Sequence, residues 1–283
     1  MGAIHFLHPL YSGTGFAVGL LVGLTGVGGG ALMTPLLILL FGIHPATAVG
    51  TDLLYAAATK TAGSVVHGFN RTIDWRVVGL LAVGSVPIVP MTVITVAVLG
   101  RIGINSSEAR NLITVVLTIA LFVTAATLIF REKIVAHYAA QLGAMQPKRI
   151  ATLTVFVGAI LGVLVSITSV GAGAIGVTAL VLLYPKLPTA RIVGSDIAHA
   201  VPLTLAAGIG HWFLGSINFD VLISLLVGSI PGILIGSYAA VRIPEMALRL
   251  VLAGTLIVVA TKLAVDIRAA PSDSASVATT TSH

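Results

Sequence analysis

The stretch "TGVGGGALM", residues 25–33, interrupts an apolar run, and its reading decides the fold. A second stretch, "TSVGAGAIG", residues 168–176, has the same texture in the other half of the chain. Glycine costs a helix interior about 1 kcal/mol relative to alanine, so Gly28, Gly29 and Gly30 in succession predict a break. Length argues the same way. At 1.5 Å per residue, segment 13–41 would run ~43 Å as one straight helix and segment 150–183 ~51 Å. A bilayer offers a hydrocarbon core of only ~30 Å.

Composition sets that frame. The 283 residues are 57% hydrophobic and 8% charged, whereas a soluble domain carries roughly 25% charged residues. Too little charge is present to coat a water-facing surface, and the long apolar runs predict a polytopic helical membrane protein. A β-barrel is disfavoured, because its strands alternate in polarity and these runs do not. The net charge of +6 would suggest nucleic acid in a soluble chain. Here the basic residues fall in short loops, where they set topology. The chain has no cysteine, which excludes disulfide and thiolate chemistry within it. The first residues lack the basic flank and cleavage site of a signal peptide, so the first apolar segment is expected to stay.

Continuous spans are expected at about 47–66, 77–99, 111–130, 192–214, 220–240 and 246–262. The chain also reads as an internal repeat. At an offset of 143, Thr25, Val27, Gly28, Gly30 and Ala31 match Thr168, Val170, Gly171, Gly173 and Ala174. After one inserted residue, 49–87 match 193–231 at 14 of 39 positions, among them Gly50/Gly194, Asp52/Asp196, His67/His211, Gly84/Gly228 and Pro87/Pro231. Apolar bias can align valines and leucines, but it does not align Asp, His and Pro. Such repeats point to a transporter fold. The expected organisation is an N-terminal segment (1–12), a first transmembrane repeat (13–130), a cytoplasmic linker (131–149), a second repeat (150–267) and a Ser/Thr-rich disordered tail (268–283).

Counting Lys and Arg chooses the topology. If both long segments cross once, the two sides carry 8 and 6 basic residues, which decides nothing. If each enters and returns as a hairpin hinged at its glycines, the split becomes ten against four. That is a usable positive-inside signal. It leaves three full spans per half, so the halves are inverted and both termini lie outside the cytoplasm. Eight full spans in parallel repeats is the alternative. The fold class is thus all-α and polytopic, with two homologous, inverted repeats, each a glycine-broken helix (re-entrant or discontinuous) followed by three transmembrane helices.

The chemistry concentrates at the breaks. A helix restarting in the bilayer begins with free N–H groups and a positive dipole end. Two such starts near the midplane make an anion site, with Gly28, Gly29, Gly30, Gly171 and Gly173 admitting the ligand and Thr25, Thr168 and Ser169 adding hydroxyls. The series Gly15, Gly19, Gly23 and Gly228, Gly232, Gly236 read instead as close helix packing. Lys60 lies deep in its span and needs a partner or an anion; its repeat mate is Thr204. Asp52 and Asp196 are ordinary helix-start acids, proton or cation carriers, or anchors for the breaks. His67 and His211 are interfacial caps or a pH-responsive gate. His199, one turn beyond Asp196, is placed to pair with it. Trp75 and Trp212 fall near span ends, as interfacial anchors do. A two-histidine metal site at His5 and His8 is too weak a signal to adopt.

The segments "LTGVGGGALMTP" and "ITSVGAGAIG", with "ATAVGTDLLYAAATKTAGSVVHG" and "IVGSDIAHAVPLTLAAGIGHW", resemble the sulfite exporter TauE/SafE family of bacterial permeases. The likeness covers nearly all of 13–266, and its best-defined part is the duplicated glycine motif. It implies a transporter of anions such as sulfite, thiosulfate, sulfonates or related organic acids in the inner membrane. The second copy has Ala172 where the first has Gly29, which departs from a fully symmetric site. The expectation is a secondary transporter of a small anion, with a cation carrier or channel built on Asp52 and Asp196 as the alternative. An enzyme is not expected, since no nucleophile with its base is evident. No cofactor, resident metal or nucleic-acid partner is expected. The expected partners are the anion and membrane lipid, and a homodimer is allowed.

Overall fold

The computed structural model describes residues 9–25, 30–101, 106–143, 145–240 and 245–269. Gly28 and Gly29, His5 and His8, and the tail from 270 lie outside the described residues. Ten helices follow in order: α1 (Pro9–Thr25), α2 (Gly30–Phe41), α3 (Pro45–Phe69), α4 (Trp75–Arg101), α5 (Ser106–Gly143), α6 (Pro147–Thr168), α7 (Ala174–Leu183), α8 (Thr189–Phe213), α9 (Phe219–Ala240) and α10 (Glu245–Ala269). Six stretches, in α4, α5, α6, α8, α9 and α10, are long and apolar enough to cross a bilayer. The chain is all-helical among the described residues, as its unalternating apolar runs require. Helix α5 carries on through 131–143, the first part of the segment read as a linker.

Helix ends follow local chemistry. Proline opens α3 and α6, where its missing N–H costs nothing. Gly42 closes α2 with φ +62, a left-handed conformation that a Cβ disfavours.

Glycines also set the packing. α1 lies along α9, with Gly15 against the Leu225 backbone and Gly19 against Ser229. α6 lies along α4 in the same manner, with Gly158 against the Leu81 backbone and Gly162 against Ser85. Here the missing Cβ lets backbones meet, which is what holds helices together when lipid offers no hydrophobic contrast. The Gly228 and Gly232 series packs on Ser12 and Phe16 of α1, as its spacing indicates.

These contacts fix directions. α4 and α6 run parallel, since Leu81 and Ser85 meet Gly158 and Gly162 in order. α4 and α8 also run parallel: Asp74 meets Ser195, Ser85 meets His199, and Val93 meets Gly210. Hence α6 and α8 point the same way, and the chain must return between them. The ten residues of α7 provide ~15 Å of that return, about half the hydrocarbon thickness. The segment 150–183 is therefore a hairpin, not a single crossing. α3 and α8 form the centre and run antiparallel: Gly50 meets His211, Leu54 meets Gly208, Ile197 meets Gly63, and Gly194 meets His67. Outward-facing residues such as Val83, Met91, Leu234 and Val258 are exposed and apolar, as a lipid-facing belt is.

Candidate functional site

The second break is described in atomic detail. Thr168 ends α6, and its Oγ1 donates to the Leu164 carbonyl (2.7 Å) while accepting the Val170 N–H (3.1 Å). Ser169 follows in the left-handed region at φ 58. Gly171 and Gly173 both have φ +119, which a side chain would strain. A Cβ at Gly171 would in addition strike Leu164. Of the first break, Thr25 closes α1 and Gly30 opens α2.

Each returning helix has an acid at its start. Asp52 of α3 is fully buried, and its Oδ2 accepts both the Thr34 hydroxyl (2.6 Å) and the Thr34 N–H (3.2 Å) from the first turns of α2. The Ser169 hydroxyl neighbours the same carboxylate without meeting hydrogen-bond geometry. Asp196 of α8 is equally buried; its carboxylate faces the Gly173 N–H and lies where a Cβ on Gly176 would fall. The protein's own carboxylates thus engage the positive ends of α2 and α7.

Lys60 lies between them, 5% exposed. Its Nζ donates to the Ala172 carbonyl inside the second break at 3.5 Å, with Asp196 and Asp52 both within electrostatic reach. The lysine expected to need a partner or an anion therefore crosses from the first half into the break of the second. His211 also turns to that break, its Nε2 meeting the Ser166 carbonyl in the last turn of α6 at 3.0 Å. This is a cap, but on another helix than its own. His67 instead pairs with Thr72 (2.8 Å), close to the end of α3. His199 does not pair with Asp196: its Nε2 meets Ser85 of α4 at 2.8 Å. Trp75 and Trp212 are exposed at the ends of α4 and α8.

The break's electrostatics follow. The carbonyl end of α6 receives His211, Lys60 meets the Ala172 carbonyl within the break, and the amide end of α7 receives Asp196, so ionisable groups of α3 and α8 engage the break. Around the second break, Lys60 meets Ala172, Asp196 faces Gly173 and His211 meets Ser166, all buried, whereas His199 turns to Ser85 and His67 stays near the end of α3. Three cavities are lined elsewhere, among them one of about 420 Å³ bounded by His44, Asn111 and Asp266.

Sequence reasoning missed Thr34, Ser85, Tyr55 and Ser229. Tyr55 is fully buried on α3, and its hydroxyl neighbours Ser229 of α9. The pair Tyr55/Ser229 sits at the same 144-residue offset as His199/Ser85, and Thr34 stands at that offset from Thr178. The register that aligned Asp52 with Asp196 could have drawn attention to all four. Two further cross-half bonds repeat at that offset: Ser195 Oγ accepts the Asp74 N–H (2.8 Å), and Thr51 Oγ1 accepts the Asn218 N–H (3.1 Å).

A multi-pass helical protein whose broken hairpin at 150–183 carries buried acids and a lysine fits the class of membrane transporters. Comparison with known proteins agrees. The sequence pattern of the sulfite exporter TauE/SafE family matches residues 11–263, and the chain belongs to that family. It is 38% identical over 252 residues to the probable membrane transporter protein YjnA of Bacillus subtilis, covering 88% of this chain and 96% of the relative. It is 26% identical over 240 residues to the probable membrane transporter protein YdhB of the same organism, covering 83% and 91%. A probable membrane transporter protein of Xylella fastidiosa is 27% identical over 233 residues, covering 81% and 84%. No solved structure matches the chain. The protein is a multi-pass membrane transporter and not an enzyme, in keeping with an inner-membrane location.

Proposed function

We propose that this transporter is a secondary permease for a small anion, a sulfur oxyanion, sulfonate or related organic acid, bound where the two hairpins meet. The observation that carries this reading is Lys60: a buried ammonium aimed at a helix break, beside the starts of two returning helices. Such a charge inside a membrane protein needs a countercharge, which Asp196 supplies when ionised and a cargo anion supplies once Asp196 is discharged. Gly171 and Gly173 leave the break backbone open to close approach.

Charge arithmetic adds a coupling step. With Asp52, Asp196 and Lys60 ionised, the core carries −1 and repels an anion. A cation must therefore enter with the cargo, as a proton or a small metal ion on one of the carboxylates. Discharging the acid also frees the helix start that it occupies, so the cargo can take its place. The paired packing of α1 on α9 and α6 on α4 supports an inverted-repeat reading, in which the halves rock to open the site to alternate sides.

The test is a binding screen of sulfite, thiosulfate, a short sulfonate and a small carboxylate on purified full-length protein, with Lys60→Gln beside it. Saturable binding of one anion, weakened tenfold or more by Lys60→Gln, is expected. Equal affinity in the variant removes Lys60 from the site. A cation carrier is favoured instead if no anion binds and Asp52→Asn abolishes ion binding.

A further inference from the structure

The two halves of the sequence are not the two bodies of the structure. α1, from the first repeat, lies backbone to backbone on α9 of the second at Gly15 and Gly19, and the Ser12 hydroxyl donates to the Ser224 carbonyl (3.0 Å). Thr51 of α3 holds the start of α9, and Asp52 of α3 holds α2 through Thr34. α1, α2, α3 and α9 thus make one body. The repeat-related helices α6, α7, α8 and α4 make the other. There Gly158 and Gly162 seat α6 on α4, Ser85 of α4 meets His199 of α8, and Ser166 of α6 meets His211 of α8. The first turn of α7 closes on Asp196 of α8 at Gly176. α5 and α10 pack on one another beside them.

The chain passes from one body to the other at the turns 70–74 and 214–218, which stand 144 residues apart. Both turns are built alike. Arg71 (φ 52) and Gly215 (φ +70) follow the preceding helix in the left-handed region, and the next amide reaches back to it. Thr72 N–H donates to the His67 carbonyl and Ser216 N–H to the His211 carbonyl, each at 3.0 Å. Two residues further on, the other body already holds the chain. Asp74 N–H donates to Ser195 of α8 (2.8 Å), and Asn218 N–H donates to Thr51 of α3 (3.1 Å). A single residue separates the two anchors in each turn, Ile73 in one and Ile217 in the other.

We propose that these interlocked bodies, and not the sequence halves, move against each other in transport, with Ile73 and Ile217 as hinges and Lys60 as the tie between them. Hinges are a few element-terminal residues that absorb the backbone rotation between packed units. Within a body, the backbone contacts at Gly15, Gly19, Gly158 and Gly162 leave no room for sliding. Along the seam of α3 on α8, the atoms closest to Gly63 and Gly208 are side-chain ends, those of Ile197 and Leu54. Lys60 crosses that seam, from α3 to the Ala172 carbonyl between α6 and α7 (3.5 Å). The inference rests on the anion reading in one respect: an anion that takes the ammonium from Ala172 releases the tie and so links cargo to motion. The bodies and hinges are tested without cargo.

The native chain has no cysteine, so paired spin labels on the full-length protein in nanodiscs report the motion by double electron–electron resonance. His44, Val98 and Asp220 are exposed at one end of the molecule, at the start of α3, the end of α4 and the start of α9. The pair His44→Cys and Asp220→Cys joins the two sequence halves within one body and should keep a single distance throughout. The pair His44→Cys and Val98→Cys lies in one sequence half but spans the bodies. It should gain a second distance in Lys60→Gln, where the tie is cut, and in the native background with thiosulfate. Ile217→Gly, which frees a half-buried hinge, should widen the same distribution, and it decides alone if Lys60→Gln fails to fold. A His44–Val98 distribution left unchanged by either variant overturns the proposal. So does a His44–Asp220 distance that splits, because the sequence halves then move as units. A His44–Val98 distance that splits in Lys60→Gln but not with thiosulfate upholds the bodies and removes thiosulfate as cargo.

Discussion

Replacing Thr34 by valine tests whether Asp52 is held as an anion. The Thr34 hydroxyl donates to Asp52 Oδ2 at 2.6 Å, with both residues fully buried. Valine keeps the shape and deletes the donor. A hydrogen bond to a charged group contributes about 1.5–3 kcal/mol, against about 1 kcal/mol for a neutral one. The Thr34 N–H still donates to the same oxygen at 3.2 Å, so the carboxylate keeps one donor and the expected loss is about 2 kcal/mol. The internal control is Thr178→Val. Among the described residues, the Thr178 hydroxyl is buried with no partner, so its removal costs nothing and stabilises by up to about 1 kcal/mol. Two substitutions of identical chemistry, at positions 144 residues apart, should thus differ by about 2–3 kcal/mol. Unfolding by SDS titration in mixed micelles, read by the fluorescence of Trp75 and Trp212, measures both midpoints. A loss near 1 kcal/mol for Thr34→Val would mean that Asp52 is neutral. Equal losses for the two variants, or a larger one for Thr178→Val, would refute the assignment of Thr34 as the partner of Asp52.

Further outcomes concern packing and topology. A Cβ at Gly84 would collide with the Val155 carbonyl, so Gly84→Val should force α4 from α6 and cost over about 3 kcal/mol, seen as loss of the monodisperse peak in detergent chromatography. Gly254→Ala, with no atom within 4 Å of the new Cβ, should raise stability by up to about 1 kcal/mol in the same SDS titration. Because the native chain has no cysteine, single substitutions report sidedness cleanly. The hairpins place His44→Cys and Asp220→Cys on one face of the membrane, and Arg71→Cys and Lys186→Cys on the other. Impermeant labelling of His44→Cys and Asp220→Cys from opposite faces would contradict the antiparallel course of α3 and α8.

The helices were legible because lipid imposes a single demand on them. An apolar run must be helical to satisfy its backbone, so the spans read at 77–99, 192–214 and 220–240 lie within α4 (Trp75–Arg101), nearly within α8 (Thr189–Phe213) and within α9 (Phe219–Ala240). Excess length together with glycine located the second break, since no straight helix of 150–183 fits a bilayer. The acids and the lysine stood out because charge is rare in such a chain. The hydroxyls did not. Thr118, Thr124 and Thr154 donate to the carbonyl four residues back, the default for a threonine in a membrane helix, and nothing local distinguishes Thr34 from them. His199 misled for a related reason: helical spacing put it one turn from Asp196, but the ring turned to Ser85 on a neighbouring helix, which spacing along one helix does not reveal.

The two halves of the sequence repeat depart from one another at charged positions. Some positions of like residue type in both halves make structural contacts: Thr51 and Ser195 fasten the turns that lead into α9 and α4, and Gly158 and Gly15 seat paired helices. Where they differ, charge differs. Lys60 stands in register with Thr204, and His199 with Tyr55. Perfect symmetry would give both acids the same countercharge and make the two sites titrate or bind together. Lys60, with no ammonium at its repeat position Thr204, breaks that equivalence. An alternating-access cycle needs such a difference, because a core neutral in every state would gain nothing from loading its cargo and its coupling ion together.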